Sequence, residues 1–117
     1  MNSNVAEASH QADWQLAQRI LAREREAFDE FFQAYFPRLF RFANTRLGEP
    51  ALCEDIVQET LIKAVNGLAH YRAEASLFTW LCQICRNEIS NYMRKDGSKM
   101  QQLSLDDSPQ MRAVLES

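Results

Sequence analysis

This chain is poor in the residues that interrupt regular structure. Its 117 residues include three glycines and three prolines, too few for the frequent turns of an all-β protein, so long helices are expected. No apolar run approaches the ~18 residues that a membrane helix needs. The N-terminus, Met1-Asn2-Ser3-Asn4-Val5-Ala6-Glu7, lacks the basic and apolar regions of a secretory leader, which points to a cytoplasmic location. The cysteines are three, Cys53, Cys82 and Cys85, and an odd count in such a chain argues against a disulfide framework. Cys82-x-x-Cys85 has the spacing of a zinc or redox pair. Zinc would need two further ligands from Cys53, His10 or His70, and a redox pair would want a strand-helix setting. The plainer expectation is small apolar residues packed within a helix. No cofactor or metal is expected.

What is present is one modest core's worth of apolar residues, 46% of the chain, enough for a single domain. The net charge of −3 speaks against a protein that coats nucleic acid nonspecifically. Its distribution is uneven. Residues 1–70 carry seven Lys/Arg and ten Asp/Glu, residues 71–100 five and three, and residues 101–117 one and three. The middle window alone is basic, at +2, so nucleic-acid contact is expected there.

Periodicity predicts a compact all-α bundle of about four helices with disordered termini. Residues 1–12 read as a tail, 13–97 as the folded domain and 98–117 as a linker. Asp13 is placed to cap a helix starting at Trp14, with Leu16, Ile20 and Leu21 as its apolar stripe. Arg23-Glu24-Arg25-Glu26 reads as a solvated join. From about Glu26 to Leu47, Phe28, Phe31, Phe32, Tyr35, Leu39, Phe42, Ala43 and Leu47 recur at helical steps and predict a broad buried aromatic face. Pro37 should kink this helix without ending it, and Gly48 should close it in the left-handed conformation. Pro50 suits the first turn of a third helix, with Leu52, Ile56, Leu61, Ala64, Val65 and Leu68 facing inward. After a loop over 70–76, Ser76 can cap a fourth helix over about 77–95 whose stripe is Leu77, Trp80, Leu81, Ile84, Ile89, Tyr92 and Met93. Asp96-Gly97-Ser98 should stop it, and residues 111–115 could begin another. Trp14 and Trp80 are expected in the core.

Three surfaces remain. On the third helix Asp55, Gln58, Glu59 and Ile62 cluster on one side. An apolar residue in an acidic rim suits a protein interface, and an ordinary solvated face with one exposed Ile fits equally. On the fourth helix Gln83, Arg86, Asn87, Ser90, Asn91 and Arg94 form a polar side. Asn and Gln can hydrogen-bond base edges and Arg can bind phosphates, or the face is simply solvated. The loop Tyr71-Arg72-Ala73-Glu74-Ala75-Ser76 sets an aromatic ring and a guanidinium among small residues, a setting for an unstacked base. Tyr71 could instead be a core lid over Trp80. No nucleophile–base pair, metal set or phosphate loop appears, and Asp55 and Glu59 without a cleft do not make a catalytic pair, so no enzyme is expected.

Taken together, Glu54-Asp55-Ile56-Val57-Gln58-Glu59-Thr60-Leu61-Ile62-Lys63-Ala64, then Tyr71-Arg72-Ala73-Glu74-Ala75-Ser76, Thr79-Trp80-Leu81 and Arg86-Asn87 resemble the second conserved region of bacterial sigma factors of the extracytoplasmic-function group, in the sigma-70 family. The resemblance spans about residues 26–95. It implies a transcription initiation factor domain whose third helix, through Asp55, Gln58, Glu59 and Ile62, binds the clamp helices of the largest subunit of core RNA polymerase. It implies that the loop from Tyr71 to Ser76 captures a base flipped from the single-stranded non-template strand of the promoter −10 element. Asn87 would help choose that base, and Arg86, Asn91 and Arg94 would make backbone or neighbouring contacts. An anti-sigma factor is a common partner in this family. Two departures stand out. Ala73 replaces the usual loop glycine, which puts a positive-φ backbone there in doubt. Family members also carry a second helical domain that reads the −35 element, and residues 98–117 are too few to hold one. Either the chain is a fragment or it works without that unit. A sigma-like module that binds polymerase or a regulator without reading DNA is the competing reading.

Overall fold

The second helix carries the fold. In a computed structural model, which describes residues 2–95 and the side chains of 10–95, four α-helices follow one another: α1 (Asn2–Leu21), α2 (Arg25–Leu47), α3 (Pro50–Asn66) and α4 (Leu77–Lys95), with a 3₁₀ turn at Leu68–His70 between the last two. Along α2, Ala27, Phe31, Tyr35, Leu39 and Ala43 are buried. They stand at strict four-residue steps, one ridge of a helix surface. The remaining aromatics expected inside, Phe28, Phe32 and Phe42, are only partly buried against that ridge, as are Phe36 and Phe40. Phe31 meets Phe32 edge-on at 5.8 Å, the geometry that aromatic quadrupoles favour, and Tyr35 at a tilt at 5.6 Å.

α2, α3 and α4 pack mutually, and α1 lies across α2, the 3₁₀ turn and α4. The α3 wall is Cys53, Ile56, Val57, Thr60, Leu61 and Ala64. Leu52 and Val65, expected inward, are half-buried. Thr60 is fully buried because its hydroxyl donates to the Ile56 carbonyl at 2.8 Å, so it carries no unpaired donor into the core. α4 contributes Leu77, Leu81, Cys82, Cys85 and Ile89. Trp80, Ile84, Tyr92 and Met93 are half-buried at the edge of that stripe. The three cysteines are free, buried thiols. Burial raises the Cys82 thiol and pushes Cys85 up to about 11, which suits packing and not nucleophilic chemistry.

Helix ends follow the expected chemistry. Gly48 takes φ 68° and donates its N–H to the Asn44 carbonyl at 2.9 Å. Pro50 sits in the first turn of α3. Ser76 caps α4, its Oγ accepting the Thr79 N–H at 3.1 Å. α2 runs unbroken through Pro37. That proline is on the exposed side of the helix, where water can satisfy the carbonyl it leaves unpaired.

α1 differs from the expected short helix. It begins at Asn2, so Asp13 lies inside it and caps a different helix. Asp13 Oδ2 accepts the backbone N–H of Leu77 at 2.8 Å, at the start of α4, and Oδ1 accepts the Tyr35 hydroxyl at 3.4 Å. One carboxylate thus joins α1, α2 and α4. The reach is 64 residues, invisible to any local capping rule. The expected stop at 96–98, the linker over 98–117 and the helix start at 111–115 all lie outside the described residues.

Burial gives this core an alkaline limit. The phenols of Tyr35 and Tyr71 are pushed from 10.0 up to about 12, first by burial and then by the Asp13 charge. The unfolded chain sheds these protons near pH 10 while the folded chain still holds them. Folding stability is therefore complete below about pH 10 and falls as pH rises toward about 12. Urea unfolding midpoints should be flat up to about pH 10 and drop beyond it, and Tyr35→Phe should reduce that drop.

Candidate functional site

The α3 strip faces outward as its spacing requires. Asp55, Gln58, Glu59 and Ile62 are all exposed, Ile62 at 51%, while Val57, Leu61 and Ala64 on the opposite side are fully buried. Lys63 Nζ reaches Glu88 Oε2 on α4 at 2.7 Å. That contact, with the Glu59 charge, raises the lysine and ties the strip to its neighbour.

Between α3 and α4 lies a groove of about 310 Å³ lined by Leu52, Asp55, Ile56 and Glu59 on one side and Glu88, Asn91, Tyr92 and Lys95 on the other. The third-helix face and the far end of the fourth-helix face, separate in the sequence reading, meet here. Asn91 therefore shares a groove with three carboxylates and accepts a hydrogen bond from Arg94. From Ser76 to Asn91 is about 22 Å along the helix. The structure does not bring Asn91 and Arg94 to the loop.

The loop has its own architecture. Tyr71 is buried, its ring 5.3 Å from that of Trp80, and its hydroxyl donates to the Ala75 carbonyl at 2.8 Å. It is the lid, closing the loop on itself, and its ring is not free to stack on a base. Ala73 does adopt the left-handed backbone, at φ 62°. Alanine here takes the backbone region that a glycine would occupy without a Cβ penalty. Alanine there costs ~1–2 kcal/mol, partly offset because glycine loses ~0.5–1 kcal/mol more entropy on folding. Ala73→Gly should raise stability by about 0.5 kcal/mol, or roughly 2–4 °C in a thermal melt.

Around this turn lie two cavities. One, of about 240 Å³, is lined by His70, Tyr71, Arg72, Glu74, Ala75, Trp80 and Gln83. Its size is below the ~300–1,000 Å³ of drug-sized sites, suited to a single planar ring. Gln83 forms its α4 wall, and Asn87, exposed, follows one helical turn further along the same face. The other is a shallow, open cavity of about 360 Å³, lined among the described residues by His10, Gln11, Trp14, Arg72 and Ala73. Trp14, expected in the core, is 41% exposed at its edge. The reason is register: Ala17 and Ile20 of α1 take the buried positions, and Trp14 falls beside them.

Arg86 was expected on a nucleic-acid face, but the α2 arginines that join it were missed. Arg38 of α2 stacks its guanidinium 4.0 Å above the ring of Phe78 on α4 and lies 5.5 Å from that of Tyr35. Arg46 lies 4.0 Å over Phe42. The charges of Arg86, Arg46 and Arg38 all lower the Cys82 thiol against the larger effect of its burial, so two α2 arginines and Arg86 of α4 lie within electrostatic reach of one residue. Windowed charge counts hid this, because acidic neighbours in sequence mask arginines eight residues apart. The aromatic ridge between them was the available signal.

Among the described residues no group of His, Cys, Asp and Glu is placed to hold a metal ion, and no helix is long and apolar enough to cross a membrane.

Residues 31–99 match the sigma-70 region 2 family, and the chain belongs to it. It is similar to the RNA polymerase sigma factor YlaC of Bacillus subtilis, 28% identical over 63% of this chain and 43% of that protein. It is also similar to the RNA polymerase sigma-H factor of Pseudomonas aeruginosa, 25% identical over 78% of this chain and 47% of that protein. The extracytoplasmic-function sigma factor SigM of Bacillus subtilis is 33% identical over 57% of this chain and 40% of its own length. The chain spans less than half the length of these relatives. No solved structure matches it.

Proposed function

We propose that this domain acts in transcription initiation, in the cytoplasm, by docking on core RNA polymerase through Asp55, Gln58, Glu59 and Ile62 and capturing an unpaired non-template base of the −10 element in the loop over 71–76. The observation that carries the reading is the open cavity of about 240 Å³ beneath that loop. Its wall is the tilted Tyr71–Trp80 ring pair, its rim holds Arg72 and Glu74, and Gln83 leads from it to Asn87. An aromatic wall with convergent polar groups is what holding a flipped base requires.

Roles within the loop are unequal. Tyr71 supplies rigidity and a wall. Arg72 offers its guanidinium to a phosphate. Ala73, Ala75 and Ser76 keep the backbone approachable. Arg86, with Arg38 and Arg46 beside it, suits the phosphates of adjoining DNA. Asn91 lines the groove of mixed charge between α3 and α4, with Arg94 bonded to it, away from the loop and beside the α3 strip, and so suits a protein partner; an anti-sigma factor or polymerase would suit that groove. A loop damaged around Ala73 would favour a module that binds polymerase or a regulator without reading DNA; the left-handed turn at that residue supports the base-capturing reading.

Unstacking a base costs a few kcal/mol, more than this weakly charged domain can supply alone, so polymerase contacts provide the remaining affinity. The test uses polymerase bound to the full chain and single-stranded DNAs differing at each −10 position. Asn87→Ala should relax preference at one position, with a loss of ~1–3 kcal/mol for the favoured base. Equal weakening on every sequence would show that Asn87 only meets the backbone.

A further inference from the structure

The cavity between α1 and the loop is not used by the function proposed above. Its lining is specific: Trp14 with His10 and Gln11 on α1, then Arg72 and Ala73 from the loop. His10 and Gln11 stand four and three residues before Trp14, so all three share one helix face. An indole 41% exposed beside an imidazole, an amide and a guanidinium, with no carboxylate among the described lining residues, suits a planar and anionic guest. We propose that this cavity is a second nucleotide site, in which Trp14 stacks on the base neighbouring the one held under the loop.

Three observations carry this beyond an exposed tryptophan. Arg72 lines both cavities, so one arginine adjoins both base sites, where a strand passing from one to the other would present its phosphate. The left-handed turn at Ala73 places loop backbone against the α1 cavity. Trp14 is also held in register with the loop, because the adjacent Asp13 is bonded to the Leu77 N–H at 2.8 Å. The platform is therefore fixed relative to the first site before any strand arrives, which lowers the ordering cost of binding. Gln11 can hydrogen-bond a base edge and His10 can meet a phosphate, while the indole face is tolerant of base identity. The second site thus adds affinity and fixes the strand's direction, and leaves base choice to the first.

This inference rests on the loop capturing a base, so the experiment separates the two. Full-length chain bound to core RNA polymerase is used to select binders from a pool of single-stranded DNAs of about 12 nucleotides, within the ~4–16 nucleotides of such sites. The selected strand is then scanned with single abasic nucleotides against wild type, Trp14→Ala, Trp14→Phe and Asn87→Ala. Wild type should show two neighbouring sensitive positions. Trp14→Ala should bind the intact strand roughly 5- to 100-fold more weakly, the worth of one stacked base. It should lose sensitivity at one of the two positions and keep it at the other, and Trp14→Phe should restore most of both. If Trp14→Ala binds the strand as wild type does, the second site is overturned and the loop reading stands. If Trp14→Ala weakens polymerase binding and leaves the abasic profile unchanged, the indole meets protein and the second site is again overturned. If no strand is selected by wild type, both readings fail together.

Discussion

Ile62→Asp is expected to weaken binding to core RNA polymerase by about 30-fold or more, the loss typical of an interface hot spot at ≥2 kcal/mol, without shifting the thermal midpoint. Ile62 is 51% exposed on α3, the most exposed of the three large apolar side chains that face solvent among the described residues. It sits within a strip of Asp55, Gln58 and Glu59, an apolar centre with a charged rim. An aspartate there would bury an unpaired carboxylate on docking and would sharpen repulsion within an already acidic strip. The fold should not notice. The site is exposed, and isoleucine and aspartate have similar helix propensities, so stability should change by no more than ~0.5 kcal/mol. Surface binding to immobilised polymerase with parallel thermal melts gives the comparison. Affinity equal to wild type would remove the α3 strip from the interface.

Asp13→Ala should destabilise the domain by about 2–3 kcal/mol, which for this size corresponds to roughly 10–20 °C. The carboxylate caps α4 at the Leu77 N–H and accepts the Tyr35 hydroxyl. Loss of a helix cap costs ~0.5–2 kcal/mol, loss of a negative charge at a helix N-terminus ~0.3–1 kcal/mol, and a weak hydrogen bond a little under ~1 kcal/mol. Asp13→Asn keeps an acceptor and should recover most of the loss. Ser76 remains as a cap three residues before Thr79, so α4 should persist while the loop before it loosens. Base capture should therefore fall further than global stability explains, since α1 no longer holds the loop. A denaturant curve for Asp13→Ala indistinguishable from wild type would mean that Asp13 is solvated and bonds neither partner.

The fold was legible wherever the relevant physics is local. Gly48 closes α2 because the left-handed position admits glycine without a Cβ penalty, and Ser76 caps α4 because a hydroxyl three residues upstream can reach an amide. Those rules involve neighbours in sequence. The same holds for the outward strip of α3, which helical spacing alone places on one side.

The candidate site was legible only in part. Tyr71 could be lid or platform on sequence grounds; burial against Trp80 and the bond to Ala75 decide for lid. The core of α3 includes Cys53, Val57 and Thr60, which the expected stripe left out; Thr60 is polar by type, and its bond to the Ile56 carbonyl lets it enter the core. The position of Asn91 followed from which groove two helices happen to share, not from its spacing to Asn87.

What the sequence by itself determined was the number of helices, the ends of α2 and the starts of α3 and α4, and the family, because each depends on residues within a few positions of one another or on short motifs in order. What only the tertiary structure decided was adjacency. Asp13 reaches Leu77 across 64 residues, Arg38 stacks on Phe78, and Trp14 faces the loop at Ala73. Such pairings are set by how amphipathic rods rotate and cross to bury their ridges together, a choice made by the whole core at once and by no segment of it alone.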